Sequence, residues 1–296
     1  MADVLALFGP TGVGKTALAL AVADRLRARG QRPVAVSADA LQVYAGLETL
    51  TGVASPAERA RLEHRLVAFV PVTETFSAGR YAQLAHAEID GLLADGATPI
   101  VVGGTGLYLR AALADLELRP EPPPGLREEV VARLAAEGAE ALHAGLVARH
   151  PWTATTVRPT DRHRLIRTLE LEALGALEPP RPESQLWTAE TRHPTRLIAC
   201  TMEHAALDAA IDARVAAMIA AGAESEVRRA DAAGASATAR KALGFEELLR
   251  GDPEAMARRT RRYARRQLTW LRKLAGVERV DVTGRTGAEV AAELLP

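Results

Sequence analysis

The chain has 296 residues, with 37 Lys and Arg balanced by 37 Asp and Glu, and an apolar fraction of 48% that includes only 4% aromatics. Zero net charge excludes a globally basic nucleic-acid binder, and no apolar run approaches the ~20 residues that span a bilayer. A single cysteine, Cys200, excludes an intramolecular disulfide or a cysteine-rich zinc site, and the Met-Ala-Asp start lacks a signal-peptide pattern, so a cytoplasmic chain of one or two domains is expected.

The first hundred residues alternate strand and helix signals. Val4 to Phe8 is an apolar strand, Ala17 to Arg29 an amphipathic helix stopped by Gly30, and Pro33 to Ser37 a second strand running on to Asp39. Between the first strand and helix stands Gly9, Pro10, Thr11, Gly12, Val13, Gly14, Lys15 and Thr16, a full GxxxxGK[ST] phosphate loop. Its glycines let backbone N–H groups turn inward as an anion nest at a helix N-terminus; Lys15 adds a point charge and Thr16 a hydroxyl suited to Mg²⁺. Another helix covers Ser77 to Ala94, with Tyr81, Leu84, Ile89 and Leu92 as its apolar stripe. A buried strand from Thr98 to Val102 then runs directly into a second glycine turn, Gly103 to Gly106. The expected fold class is α/β, a P-loop NTPase-like parallel sheet with helices on both faces.

Composition then shifts. Pro120 to Pro124 and Glu178 to Pro182 are proline-dense, and residues 126 to 177 carry helical signals only, so 119–193 is expected to be a helical insertion between core segments 1–118 and 194–296. A strand from Arg196 to Thr201 returns to the sheet. Helices over Ala205 to Ala221, Glu224 to Ala232 and Glu254 to Leu274 follow, and Val280 to Val282 supplies a last short strand.

Two features bear on chemistry. A switch or motor NTPase usually carries an Asp at the end of an apolar strand to organise Mg²⁺ and water, whereas Val102 is followed by glycines. The carboxylate that does follow a strand is Asp39, which suits a metal ligand, a base or a helix cap equally well. The second feature is the run from Arg258 to Lys273, rich in arginine and free of acids, with Tyr263 and Trp270 interleaved. Such a face suits RNA phosphates and unstacked bases, or a pyrophosphate gripped by guanidinium groups.

Taken together, Gly9 to Thr16, Ala38 to Gly46, Phe76 to Tyr81, Val102 to Tyr108, Asp161 to Leu171, Leu243 to Phe245 and Arg266 to Arg272 resemble the tRNA dimethylallyltransferase family nearly end to end. The resemblance implies transfer of a dimethylallyl group from dimethylallyl pyrophosphate to N6 of the adenosine 3′ of the anticodon, with pyrophosphate released and Mg²⁺ on Thr16. It implies that Gly9 to Thr16 hold the donor, with Lys15 and Thr16 acting on the leaving group, and that Asp39 is the general base. It further implies tRNA contacts by Asp39, Ala40, Leu41, Gln42, Thr105 and Arg127, and by the stretch His163, Arg164, Leu165, Ile166 and Arg167. Lys241, Arg262 and Arg266 are expected to meet phosphate or tRNA, and the enzyme is taken as a monomer that grips the anticodon stem-loop. The segment Leu47 to Ala54 departs from the family's usual Met-Asp-Ile-Gly-Thr-Ala-Lys-Pro. Rival readings are an adenylate isopentenyltransferase using a free nucleotide, a metabolite kinase, and an RNA-binding protein whose phosphate loop is only a nucleotide switch.

Overall fold

The structure is a computed structural model that describes residues 3–180 and 185–296. Two compact units emerge. The first comprises Met1–Leu116 and Gln185–Pro296, the second Glu117–Ser184. The return boundary is nine residues earlier than the proline pattern suggests (193 − 184). Buried Arg110 accounts for this, since its guanidinium donates to Gln185 O, Thr188 Oγ1 and Glu190 O and so makes that stretch part of the first unit. Arg181 and Pro182 of the second proline-dense stretch lie outside the described residues.

Along the chain, β1 (Val4–Phe8), α1 (Lys15–Ala28) and β2 (Arg32–Ser37) form the opening βαβ unit. Next come β3 (Tyr44–Ala45), α2 (Glu48–Thr51), α3 (Pro56–Arg61), β4 (His64–Arg65) and β5 (Val70–Pro71). These short pieces escape a periodicity reading, although the capping box of Ser55 and Glu58 that opens α3 is written in the sequence. Then follow α4 (Ala78–Ala94), capped by Ser77, β6 (Ala97–Gly103) and α5 (Gly106–Leu113).

The second unit holds α6 (Leu126–Glu137), α7 (Ala139–Arg149), α8 (Thr153–Thr156) and α9 (Arg162–Ala173). Val130, Leu134, Leu142, Leu146, Val157, Leu165 and Leu169 make its separate apolar core. In the first unit the chain resumes with β7 (Thr195–Thr201), α10 (His204–Ala220), α11 (Ala223–Ala232), α12 (Phe245–Leu249), α13 (Pro253–Lys273), β8 (Val277–Asp281) and α14 (Gly287–Leu294).

The six strands described in the main sheet run in the order β4-β2-β6-β1-β7-β8, all in parallel, while β3 and β5 pair separately. Parallel pairing requires both faces to be covered, which explains why β1 is buried throughout and why β2 is buried beyond Arg32. Because β1 lies between β6 and β7, the loop after β1 and the turn after β6 open side by side at the strands' carboxyl ends. Ligands of open α/β sheets bind there. Among the described residues, no helix is long and apolar enough to cross a membrane.

Candidate active site

The turn from β1 into α1 has the backbone its sequence requires. Gly12 and Gly14 take φ values of 85° and 89°, a region that costs an L side chain energy, and Gly14 caps α1. Gly9 is glycine for space: a Cβ there would press on Cys200 O at 2.9 Å. The Val13 N–H donates to Pro10 O at 3.3 Å, closing the loop, and the first turn of a helix such as α1 offers N–H groups suited to an anion. Lys15 Nζ donates to Gly9 O and Pro10 O, both at 2.9 Å. Burial lowers its pKa to about 8, against an opposing pull from Asp39.

The loop forms one wall of a cavity of about 900 Å³ within the first unit, shared by Lys15, Thr16, Asp39, Gln42, Arg214 and Gln267. Asp39 Oδ1 accepts the Leu41 N–H at 2.9 Å, an Asx turn that fixes the carboxylate just beyond β2. Its Oδ2 accepts nothing from the described residues. The Gln42 carboxamide is fully engaged: Oε1 accepts from Ser37 Oγ at 3.0 Å, and Nε2 donates to Gly52 O at 3.0 Å. Thr105 Oγ1 accepts the Ala40 N–H at 3.4 Å and lies 3.5 Å from the Tyr263 hydroxyl. Burial, reinforced by Asp39, pushes the Tyr263 pKa up to about 12, so this phenol stays protonated. Close approach also explains the second glycine turn, because a Cβ on Gly103 would overlap Ala38 O.

Two cavity residues lie beyond the sequence-based assignment. Arg214 stands on α10 in line with buried Leu207, Ile211 and Met218, so an arginine occupies a core stripe position, a signal visible in the sequence. Burial draws its guanidinium below the ordinary arginine value while Asp39 pulls the other way, and its Nη2 donates to Thr51 O at 3.4 Å. Gln267, buried on α13, bonds Thr11 N and Gly104 O. Glu226 of α11 accepts the Thr49 and Leu50 N–H groups at 2.9 Å, holding α2 and hence the divergent 47–54 segment against the cavity.

The expected RNA-facing residues divide. In the second unit, Glu170 is fully buried and takes Arg127 in a bidentate pair at 2.8 and 3.2 Å, with Arg167 at 3.1 Å. Arg167 also ties down Arg119 O and Pro120 O at 3.2 and 2.5 Å, so both arginines have a structural charge to balance. Leu165 is a core residue, 0% exposed, and Ile166, partly buried, packs against that core, so both belong to the apolar side of α9. Arg164 is 63% exposed, and His163 is exposed beside it.

The basic run needs a similar correction. The partners missing from its own sequence come from neighbouring elements: Arg261 pairs with Asp212 and Arg265 with Asp208 of α10, and Arg259 with Glu247 of α12. Its aromatics turn inward. Trp270 lies 4.6 Å from the Trp187 ring and fills the space above Gly106, while Tyr263 lines the cavity. Arg262 and Arg266 are exposed, as are Arg258, Arg265, Arg272 and Lys273; Arg266 lies 5.5 Å from the Tyr263 ring centre, and Lys241 is exposed at the end of a short turn.

Known proteins resemble this chain along most of its length. The family model described as IPP transferase matches residues 42–274. A tRNA dimethylallyltransferase of Anaeromyxobacter dehalogenans is 43% identical over 283 residues, covering 91% of each chain. One from Rhodospirillum centenum is 43% identical, covering 94% of this chain and 91% of its own. The full-length tRNA isopentenylpyrophosphate transferase of Bacillus halodurans superposes with a TM-score of 0.71 at 28% identity, over 100% of this chain and 95% of that one.

Proposed function

The chain belongs to the IPP transferase family, and on that basis we propose that it transfers a dimethylallyl group from dimethylallyl pyrophosphate to N6 of the adenosine next to the anticodon in tRNA. The observation that carries this reading is a phosphate loop and a strand-end carboxylate facing one cavity, with a glycine turn where a hydrolase would carry its water-organising Asp. Lys15, Arg214 and the loop N–H groups stabilise the negative charge that grows on the departing pyrophosphate. Asp39 takes the proton that N6 loses as its bond to C1 of the donor forms. Tyr263, held neutral, and Thr105 form the wall against which the unstacked adenine rests.

Mg²⁺ fits this set. The Thr16 hydroxyl lines the cavity and has no protein hydrogen-bond partner among the described residues. That is the donor set of an ion held by one protein oxygen together with substrate phosphates and water. When bound there, Mg²⁺ neutralises pyrophosphate charge.

The helical unit meets the anticodon arm chiefly through Arg164 and His163, with the outer edges of Arg127 and Arg167 beside them. The reading includes a cytoplasmic monomer, a state that sedimentation of the pure protein checks. The test is to incubate purified protein with unmodified tRNA, labelled dimethylallyl pyrophosphate and Mg²⁺, followed by nucleoside mass analysis. Label in isopentenyladenosine supports the reading. Label transferred only to AMP in a parallel reaction, or none at all, refutes it.

A further inference from the structure

Gln267 is 4% exposed and sits between the two glycine turns. Its Oε1 accepts the Thr11 N–H at 2.9 Å, and its Nε2 donates to Gly104 O at 2.7 Å. With a backbone donor on one side and a backbone acceptor on the other, only one orientation of the carboxamide satisfies both. The fit is close, since a Cβ on Gly104 would overlap Nε2. The Gly104 turn continues into Thr105, which accepts the Ala40 N–H, and Ala40 follows Asp39. One side chain therefore joins the crest of the phosphate loop to the turn that braces the carboxylate.

We propose that Gln267 is a positioning residue: its carboxamide sets the separation between the diphosphate cradle and the Asp39 side of the cavity. It acts through Thr11 and Gly104. The claim rests on the prenyl-transfer reading above. Misplacing reacting atoms by about 1 Å costs about 10²-fold in rate, so such a spacer is felt in kcat even when each substrate still binds.

The test compares wild type, Gln267→Glu and Gln267→Met for prenyl transfer to tRNA between about pH 6 and about pH 9, with thermal melts of each. Glutamate is isosteric. Protonated, it donates to Gly104 O as the amide does; ionised, it sets an oxygen against that carbonyl, and burial raises its pKa above the ordinary carboxylate value. Lys15, Arg214, Asp39 and Tyr263 face the same cavity; their own titration is common to all three proteins, whereas the two cations oppose, and Asp39 reinforces, the rise in the glutamate's pKa.

The expected result is a kcat deficit of about 10²-fold for Gln267→Glu at the high end of the range that shrinks towards the low end, with KM for both substrates little changed. Gln267→Met shows a deficit of similar size with no such recovery. A flat Gln267→Glu ratio, or Gln267→Met turning over like wild type, overturns the proposal. Failure of both variants to fold overturns it too, by making the amide a requirement of the fold. A wild-type protein that prenylates no tRNA removes instead the activity on which the proposal rests.

Discussion

Arg214 fills the space directly above Gly52: a Cβ at that glycine would overlap the arginine's Nη2, and φ at Gly52 is +65°. The divergent 47–54 segment is thus shaped around a cavity guanidinium. Gly52→Ala is expected to displace Arg214 and weaken the donor by about 10- to 100-fold, the worth of one charged hydrogen bond, with kcat for bound substrates less affected. Donor titration by calorimetry checks this, and an unchanged affinity would detach Arg214 from pyrophosphate.

Among the described residues the Asp39 side chain has one hydrogen bond, accepting the Leu41 N–H, so its removal disturbs little packing. Asp39→Ala is expected to lower turnover by about 10² to 10⁴-fold, the usual contribution of a general base, while donor affinity and melting temperature stay near wild type. Single-turnover rates with pre-bound donor separate this from a binding defect.

Lys15 links pH to both stability and binding. Its pKa falls from 10.5 to about 8 in the fold, so between those values the unfolded chain holds a proton that the folded chain lacks. Stability contributed by this group therefore rises with pH across that window, and below about pH 8 its burial penalty is fully present. Donor binding runs the opposite way. The diphosphate favours the ammonium, so donor affinity is expected to fall as pH rises through about 8, and Lys15→Met should abolish that slope. Titrations in buffers of differing ionisation enthalpy reveal the proton taken up.

Arg127 and Arg164 are expected to fail differently. Arg127→Ala leaves buried Glu170 with Arg167 alone, which costs about 1.5 kcal/mol, the low end for losing hydrogen bonds to a charged group, and shows as early melting of the helical unit. Arg164→Ala should leave melting unchanged and reduce the salt dependence of tRNA binding by about one phosphate contact. Equal melting of the two variants would contradict the structural role of Arg127.

Local rules made much of this protein legible. A phosphate loop between an apolar strand and a helix needs only backbone stereochemistry and helix-end electrostatics, so Gly9 to Thr16 were readable before any fold. The same holds for the strand ends at Ser37 and Gly103, since apolar runs bounded by glycine or aspartate mark buried parallel strands. What long-range packing decides was not legible. The basic run has no acids of its own, and only the arrival of α10 and α12 supplies Asp208, Asp212 and Glu247. Likewise Arg127 and Arg167 read as free cations until α6 and α9 enclose Glu170.

Sequence by itself thus determined the backbone form of the phosphate loop, the α/β class and the existence of a helical insertion, because each depends on residues adjacent in the chain. Only tertiary structure decided that Arg214 and Gln267 belong to the cavity and that Trp270 faces inward. Gln267 lies 256 positions from Thr11, and no periodicity or spacing rule connects groups so far apart. Their meeting follows from how α10 and α13 pack on each other and how α13 lies over the loops that leave β1 and β6, a property of the whole packed core.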